Sequence, residues 1–373
     1  MAFKLSAALL TLALAISSVS AAMMKRVACP GGKHTALNKA CCVFFDLADE
    51  LQANKFDSEC AEDAHEALRL SFHDAIGFSH SGGSAAGTGA DGSIMLFEAT
   101  ELLDPGNGGI GGAIDNLSPL LQTFDVSAGD LIQFAGAVAV SNCPGAPRLE
   151  FLAGRPNATH AAANGLVPKP EDNVNKIFAR FADAGFTPNE LVALLASHTV
   201  ARSDTLIENR DAVPFDSTPF TFDTQVFLEV LLKGNETLPP ATGEAPAQVP
   251  NPLAAQGEMR LQSDFAIAHN PETACLWQEM INNQNLMTSL FKAAMAKLSV
   301  TGQNVQKLID CSEAVPIPKP AVGKPASFPA GTGPKLVQQS CPLPFPVLKT
   351  DPGAPTTIPE CIDGSTNIDD CPS

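Results

Sequence analysis

Residues 61–75, AEDAHEALRLSFHDA, decide the organisation of this chain, and their pattern predicts one helix. Glu62, Glu66, Arg69 and His73 are spaced by four, three and four residues, which places all four side chains on one helical face. Since a helix rises about 1.5 Å per residue, Glu62 and His73 would lie roughly 16 Å apart along its axis. That span is too long for one small site, but it suits two sites joined by a large cofactor. A solvent-exposed helix face would have the same pattern, so the rest of the chain must decide.

Length, composition and charge set broad limits. The 373 residues are 45% hydrophobic, which is enough for a large core in one domain or in two lobes. The formal net charge is −17, and such a surface repels nucleic acids and anionic lipids but attracts cations. After the N-terminal segment, no apolar run is long enough to span a bilayer. These features argue against nucleic-acid and membrane partners.

The N-terminus has the pattern of a secretory signal. A lone Lys4 precedes a mostly apolar run over 5–19, followed by small residues at 20–22 and a dibasic pair at 25–26. We therefore expect a signal peptide and short pro-segment over 1–26, and a secreted, extracellular protein. Because that segment carries three basic residues and no acidic one, its removal changes the net charge from −17 to −20.

The cysteines and sequons agree with secretion. Ten cysteines, an even number, allow up to five disulfides, although spacing alone does not give their pairing. Asn157 and Asn235 begin glycosylation sequons. Asn116 begins another, but the Pro119 that follows it disfavours modification.

Apolar residues recur at helical spacing through most of the chain, and strand-like alternation is scarce. We therefore expect an all-α fold with long functional loops. The predicted helices cover residues 39–52, 61–76, 110–124, 128–141, 174–184, 188–198, 223–232, 258–269, 271–282 and 285–298. The intervening loops rich in Gly, Asp, Ser and Thr are 79–92, 104–112 and 202–223, and a Pro-rich stretch covers 316–359.

A second cluster of functional residues lies at 191–204, LVALLASHTVARSD. A lone histidine on an apolar helix, such as His198, is more often a core residue than a ligand. Here, however, His73 and His198 both lie on apolar helices and are both followed at once by an oxygen-bearing residue. One histidine could bind a metal while the other acts on the opposite side. Asp264 is a candidate acceptor for an imidazole N–H, which metal-bound histidines usually need.

Two other classes of protein would explain part of this pattern. A zinc hydrolase is suggested by His65-Glu66, which begins an H-E-x-x-H motif, but position 69 is Arg and the motif fails. A non-enzymatic, disulfide-linked calcium-binding protein explains the acidic loops. It does not explain why Arg69 and His73 share a helix face with His198 elsewhere.

Six ordered motifs in this chain resemble those of the secreted class II fungal haem peroxidases. The similarity extends from about residue 29 to the C-terminus, and within the family it is strongest to the manganese peroxidases. The motifs are RLSFHD at 69–74, GADGS at 89–93, NCPGAP at 142–147, LASHTVAR at 195–202, PFDSTP at 214–219 and RLQSD at 260–264.

The resemblance implies an all-α domain over 27–373 with two lobes around a buried haem b. The distal lobe would cover about 27–165, the proximal lobe about 166–315, and a Pro-rich tail about 316–373. It also implies that hydrogen peroxide is the oxidant and that the protein is a monomer.

On the distal side, the resemblance assigns His73 as the general base that moves a proton between the two oxygens of hydrogen peroxide. Asn107 would accept the other imidazole N–H and fix the tautomer. Arg69 would supply positive charge where the O–O bond polarises. Phe72 would line the pocket.

On the proximal side, the resemblance assigns His198 as the ligand of the haem iron. Asp264 would accept its second N–H and make the imidazole more electron-donating, which favours the oxidised iron. Phe215 would pack on this side of the haem.

The oxygen-rich loops match the two calcium sites of the resembling family. Calcium takes six to eight hard oxygen ligands, and each predicted set includes the residue next to one of the two histidines. The distal set is Asp74, the carbonyl of Gly89, Asp91 and Ser93, and the proximal set is Thr199, Asp216, Thr218, Thr221 and Asp223.

The resemblance further implies that Glu62, Glu66 and Asp204 form an Mn²⁺ site with a haem propionate, and that Arg202 orients Glu62. Carboxylates are suitable ligands for Mn²⁺, and three of them this close repel one another without a cation. The implied function is oxidation of Mn²⁺ to Mn³⁺, which leaves as a dicarboxylate chelate and oxidises phenolic lignin.

A closer alternative is a generic or versatile-type peroxidase that oxidises small phenols directly. Lignin-type and versatile peroxidases carry a surface tryptophan five residues before the proximal histidine, and the matching position here is Ala193. The only tryptophan, Trp277, lies in a segment that we interpret as core packing. The alternative remains open, but these residues favour Mn²⁺.

The resemblance also gives the cysteine pairing that spacing could not. Its last pair is typical of long-tailed manganese peroxidases, although the tail here is spaced more widely and its path stays open. The implied pairs are Cys29–Cys42, Cys41–Cys311, Cys60–Cys143, Cys275–Cys341 and Cys361–Cys371.

Overall fold

A computed structural model of the chain describes residues 26–83, 86–207, 210–238, 247–322, 324–367 and 371. All but the last residue of the expected signal and pro-segment therefore lies outside the described residues. In the described part, no helix has the length and apolarity needed to cross a membrane.

The described residues are mainly helical, which confirms the all-α prediction. The strands are only two residues long and form three antiparallel pairs: β1 (Val27–Ala28) with β2 (Thr35–Ala36), β3 (Leu152–Ala153) with β6 (Ile309–Asp310), and β4 (Arg202–Ser203) with β5 (Val213–Pro214). The helices are α1 (Cys42–Asn54), α2 (Glu62–Ala75), α3 (Ser93–Leu96), α4 (Glu98–Glu101), α5 (Gly111–Leu117), α6 (Ala128–Ser141), α7 (Val174–Asp183), α8 (Pro188–Leu194), α9 (Gln225–Glu229), α10 (Gln262–His269), α11 (Ala274–Met280) and α12 (Gln284–Leu298).

Each predicted range contains a helix, but 223–232 and 258–269 are helical only over Gln225–Glu229 and Gln262–His269. Three other ranges include tighter 3₁₀ turns. Prediction 39–52 begins with such a turn at Lys39–Cys41, 110–124 ends in one at Ser118–Gln122, and 188–198 passes into one at Leu195–Val200. Pro119 accounts for the second break, since proline cannot donate to a preceding carbonyl. The four-residue helices α3 and α4 were not predicted because they are too short to show periodicity.

Helices α2 and α6 form the centre of the fold, and α6 is buried along its whole length. A Cβ at Gly136 would lie 2.9 Å from Ser71 Cβ, so only glycine permits this close crossing. Gln133 also donates to the Ser71 carbonyl (2.9 Å). Packing against α6 fixes α2 on one face and leaves its functional stripe to face the site.

Helix α8 carries the chain toward His198, and its start is well defined. Thr187 and Glu190 form a reciprocal capping box, with Pro188 in the first turn. Lys297 of α12 donates to Glu190 (2.7 Å). Deeper in this region Trp277 is fully buried and donates to the Phe227 carbonyl (2.9 Å), which is the core packing expected from the sequence.

Five disulfides link the described residues, and they are the five pairs implied by the resemblance. Cys41–Cys311 joins the N-terminal region to the end of the helical part, and Cys275–Cys341 attaches the Pro-rich tail to α11. Cys361–Cys371 closes a small loop near the end. Arg202 donates to the Glu360 carbonyl, so the tail reaches the neighbourhood of α2.

Candidate active site and metal centres

Helix α2 begins at Glu62 and ends at Ala75, as the stripe of functional residues requires. His73 is buried near its end, while Glu62 and Glu66 lie partly exposed toward its start. The stripe therefore has a buried end and an accessible end.

At the buried end, His73 Nδ1 lies 2.8 Å from Asn107 Oδ1. The Asn107 amide is oriented because its Nδ2 donates to the Glu101 carbonyl (3.0 Å), so Oδ1 must accept from His73. The neutral imidazole then has its free electron pair on Nε2. Burial, and after it the Arg69 charge, lowers the pKa of His73 to about 3, which keeps the ring neutral in mildly acidic solution.

Arg69 lies one helical turn before His73 and donates from Nη2 to the Gly108 carbonyl (2.8 Å). Phe72 packs edge-on against the His73 ring, with centroids 5.7 Å apart, and stacks on Phe181. A fixed guanidinium beside a neutral base is suited to polarising and cleaving a peroxide bond.

On the other side of the predicted pocket, His198 lies on the Leu195–Val200 turn. Its Nδ1 is 2.6 Å from the carboxylate of Asp264 in α10, and Asp264 is fully buried. Because Nδ1 donates to that carboxylate, Nε2 remains available to bind iron. The Phe215 ring lies 5.4 Å from the imidazole, centroid to centroid. The donor set thus fits a haem ligand.

At the accessible end of α2, oxygens of Glu62, Glu66 and Asp204 lie within 4.8 Å of one another. Arg202 bonds to Glu62, and the Ala212 N–H donates to Asp204 Oδ1 (2.6 Å). Ala212 has a left-handed backbone, with φ of 54°, which is uncommon for a residue with a side chain. The structure thus brings the three predicted acids together.

The electrostatics of this cluster favour a bound cation. Burial, followed by the charges of Glu62 and Asp204, raises the pKa of Glu66 to about 7. Burial also raises the pKa of Glu62, although Arg202 opposes the shift. Three carboxylates form a hard-oxygen ligand set of the kind that suits Mn²⁺.

The residues predicted for distal calcium meet beside His73. Asp74 and Asp91 are buried; burial, and then Asp91, raises the pKa of Asp74, and burial raises that of Asp91 to about 6. Ser93 is buried beside Asp91, whose Oδ1 accepts from the Ser93 N–H (3.0 Å). Gly89 has φ of 89°, and a Cβ there would lie 2.3 Å from the Thr301 carbonyl oxygen. These oxygens fit a calcium site.

The proximal set meets beside His198. Thr199 Oγ1 donates to Asp216 (2.5 Å), and Thr218 Oγ1 lies 3.1 Å from Asp223. Burial raises the pKa of both aspartates, to about 6 for Asp223. Thr221 joins this loop through its N–H, which donates to the Thr218 carbonyl (2.9 Å). Such buried, crowded oxygens fit a second calcium ion.

Several supporting groups were missed by the sequence reasoning. The Gly108 carbonyl, the Glu101 carbonyl and the Ala212 N–H are backbone groups, which residue type does not reveal. Glu229 was also missed, although it accepts from Ser217 N (2.8 Å) and Oγ (2.6 Å) inside the proximal loop. Its position in a short apolar helix gave no signal.

Two further groups of ligand-type residues come as close together among the residues described. Cys60 and Cys143 lie beside His65, but they are joined in a disulfide. The other group is His34, Asp46 and Asp49, where Lys33 already bonds to Asp49.

The predicted glycosylation residues Asn157 and Asn235 are both exposed. Asn157 Oδ1 accepts from Ala128 N (2.9 Å), which leaves its amide nitrogen available. In contrast, Asn116 Nδ2 donates to Asp63 (2.8 Å).

Two family models match the chain. One, described as "Peroxidase", matches residues 46–283, and the other, described as "Fungal peroxidase extension region", matches residues 286–362. Together they cover the helical part and most of the Pro-rich tail.

Curated relatives are similar over almost the whole chain. Manganese peroxidase H4 of Phanerodontia chrysosporium is 54% identical, over 96% of this chain and 95% of the relative. Manganese peroxidase 2 of Phlebia radiata is 52% identical, over 98% and 95%. Versatile peroxidase VPS1 of Pleurotus eryngii is 47% identical, over 96% and 99%.

Proposed function

The chain belongs to the peroxidase family, in the fungal group that carries the extension region, and from this premise we propose that it oxidises Mn²⁺ with hydrogen peroxide. The observation that carries the proposal is the three-carboxylate cluster, whose ligand oxygens lie within 4.8 Å of one another. The similarity to two manganese peroxidases supports the same substrate. In the balanced reaction, one H₂O₂ and two protons take one electron from each of two Mn²⁺ ions, giving two water molecules and two Mn³⁺ ions.

Membership of this family implies a haem. The chemistry that a haem supplies when bound is the two-electron reduction of hydrogen peroxide, followed by two one-electron oxidations. His198 would hold the iron through Nε2, since Nδ1 donates to Asp264. Phe215 would help to fix the orientation of that imidazole.

The peroxide-handling groups are His73, Arg69, Asn107 and Phe72. His73 Nε2 takes a proton from one oxygen of H₂O₂ and delivers it to the departing oxygen. Asn107 keeps the other nitrogen protonated, and the low pKa keeps the ring neutral. Arg69 stabilises the negative charge that develops as the O–O bond breaks.

The Mn²⁺ ion would be held by Glu62, Glu66 and Asp204, with Arg202 and the Ala212 N–H orienting two of them. Mn²⁺ gives up one electron at this site, and Mn³⁺ leaves with a dicarboxylate chelator. As a diffusing chelate, it then oxidises phenolic lignin and related compounds away from the protein.

Two calcium ions would hold the two faces of the pocket. The distal ion would be bound by Asp74, Gly89, Asp91 and Ser93. The proximal ion would be bound by the loop that includes Thr199. The full proximal set is Thr199, Asp216, Thr218, Thr221 and Asp223. The buried position of Ser93 and the crowded aspartates support this assignment.

We further propose a secreted monomer with a distal lobe over about 27–165, a proximal lobe over about 166–315 and a Pro-rich tail after it. The signal-like N-terminus and the two exposed sequons support export. Excess negative charge supports attraction of divalent cations over nucleic acid.

The proposal is tested by turnover with H₂O₂ and Mn²⁺, followed as formation of the Mn³⁺–malonate chelate, together with visible spectra recorded with and without Mn²⁺. Turnover by the wild-type protein should depend on Mn²⁺, and Glu62→Gln/Glu66→Gln should lose the ability to oxidise Mn²⁺. Equal Mn²⁺ oxidation by the double variant would overturn the site assignment.

Direct oxidation of phenols is the competing function, and the 47% identity to a versatile peroxidase keeps it in view. The position five residues before His198 is a buried Ala193, however, and Trp277 is fully buried. Neither offers an exposed aromatic group for electron transfer from a bulky substrate. Phenol oxidation that is unchanged by removal of Mn²⁺ would favour this competitor.

A further inference from the structure

The segment 107–112, which leads into α5, lies beside the functional stripe of α2 at about one position per helical turn. The first two positions make hydrogen bonds, one through a side chain and one through a backbone carbonyl. At the third position, the absence of a side chain leaves space for Glu66. The pairs are Asn107 with His73, Gly108 with Arg69, and Gly112 with Glu66.

The third contact concerns shape alone. A Cβ at Gly112 would lie 3.2 Å from both carboxylate oxygens of Glu66. This distance is tighter than most Cβ contacts, so the carboxylate would have to move by a few tenths of an ångström. Gly112 is not among the residues with positive φ, and alanine can therefore adopt its backbone conformation. The space, and not the backbone, is what glycine provides here.

The direction in which Glu66 can move is limited by its neighbours. Ligand atoms of Glu62 and Asp204 lie within 4.8 Å of a Glu66 ligand atom, and their carboxylates repel a Glu66 carboxylate that moves toward them. Arg202 already bonds to Glu62, and the Ala212 N–H already bonds to Asp204. Of the three acids, Glu66 is thus the one whose place is set by the space at Gly112.

We propose that Gly112 is a positioning residue for the divalent cation, because its missing side chain allows Glu66 to face Glu62 and Asp204. The inference rests on the proposed function, since it concerns the affinity of that same site for Mn²⁺. It extends that function by assigning part of the Mn²⁺ affinity to a residue that supplies no ligand atom.

Gly111 provides a matched control. Both glycines are in the first turn of α5, and both alanine variants gain the same helix propensity. A Cβ at Gly111 would meet only Leu102 Cδ1, at an ordinary 3.6 Å. The two variants therefore differ in whether the new methyl group touches Glu66.

The experiment measures equilibrium Mn²⁺ binding by calorimetric titration of the holoenzyme, and the rate of reaction with H₂O₂ without Mn²⁺. Gly112→Ala should weaken Mn²⁺ binding about tenfold and leave the peroxide rate unchanged. Gly111→Ala should stay within about twofold of wild type in both measurements, as most substitutions away from a site do. Thermal unfolding should shift equally in the two variants.

A double-mutant cycle shows whether the effect acts through the carboxylate. In a Glu66→Ala background, Gly112→Ala should no longer change Mn²⁺ affinity, because the group it displaces is absent. Equal Mn²⁺ affinities of Gly112→Ala and Gly111→Ala would overturn the inference. So would a loss of Mn²⁺ affinity that persists in the Glu66→Ala background, or an equal fall in the rate of reaction with H₂O₂. If the wild-type protein itself fails to bind Mn²⁺, the proposed function fails with it, and the titration reveals this before any variant is compared.

Discussion

At the His73 end of α2, a buried imidazole and a neighbouring guanidinium are held by hydrogen bonds, whereas at the Glu62 end three carboxylates repel one another across a partly exposed site. His73 is bonded to Asn107, and Arg69 to a backbone carbonyl. The carboxylates have raised pKa values at Glu62 and Glu66, caused first by burial.

Helix α2 therefore carries two kinds of preorganisation. The peroxide end is complete without its substrate, since hydrogen bonds fix the tautomer and burial fixes the charge of His73. The metal end becomes favourable only when a cation arrives to balance its charges. A change at one end should therefore alter either the reaction with H₂O₂ or the binding of Mn²⁺. Only the loss of a feature that both ends share should alter both.

Removal of calcium should have the largest effect, because it affects both ends at once. Asp74 and Thr199 adjoin the two histidines in sequence, and losing each ion would leave buried, crowded acids at a cost on the order of 3–5 kcal/mol per site. We expect almost complete loss of both H₂O₂ reactivity and Mn²⁺ oxidation after chelation, with recovery on adding Ca²⁺. Calcium content, activity and thermal unfolding are measured on the same samples. Full activity in protein shown to lack calcium would contradict the assignment.

His73→Ala should disable only the peroxide end. General acid–base catalysis contributes about 10²- to 10⁴-fold, and the rate constant for H₂O₂ should fall by that factor. Stopped-flow measurement of the Soret band gives this rate, and calorimetric titration gives Mn²⁺ affinity, which should not change. Loss of Mn²⁺ affinity in this variant would show that the two ends are not independent.

Glu62→Gln/Glu66→Gln should disable only the metal end. We expect kcat/KM for Mn²⁺ to fall about 10²- to 10³-fold, or roughly 3–4 kcal/mol, with an unchanged rate of reaction with H₂O₂. The control Glu59→Gln/Asp63→Asn removes two acids that line a neighbouring cavity with Glu62. If the control lowers Mn²⁺ oxidation as much, general surface charge is responsible and the three-carboxylate site is wrong.

Acidification should weaken Mn²⁺ binding gradually while leaving the rate of reaction with H₂O₂ unchanged. The pKa of Glu66 without a cation is raised to about 7, so below that pH Mn²⁺ must displace a proton. The dissociation constant for Mn²⁺ should rise about tenfold for each unit by which the pH falls, for each proton displaced. The H₂O₂ rate should stay level over the same range, because the pKa of His73 is lowered to about 3. Titrations and stopped-flow rates at matched pH check both; parallel decline would refute the separation.

The sequence predicted features that depend on residue type and period. The α2 stripe followed from spacing, and the pairing of His73 with Asn107 followed from a family resemblance. The break at Leu195 was not predicted, since apolar periodicity continues through it.

What the sequence could not reveal is support that comes from the backbone or from empty space. The Ala212 N–H donates to Asp204, and Ala212 has an uncommon left-handed conformation that residue type does not indicate. Gly112 acts through the absence of a side chain, and no residue pattern distinguishes it from Gly111. Such contributions depend on tertiary contacts, which is why they required coordinates.

The most direct test of the account is the location of both metals by anomalous X-ray diffraction from crystals of the holoenzyme grown with Mn²⁺. We expect an iron peak within bonding distance of Nε2 of His198 and a separate manganese peak about 2 Å from oxygens of Glu62, Glu66 and Asp204. A manganese peak elsewhere, with these three carboxylates turned apart, would contradict the claim that α2 joins a peroxide site to a metal site.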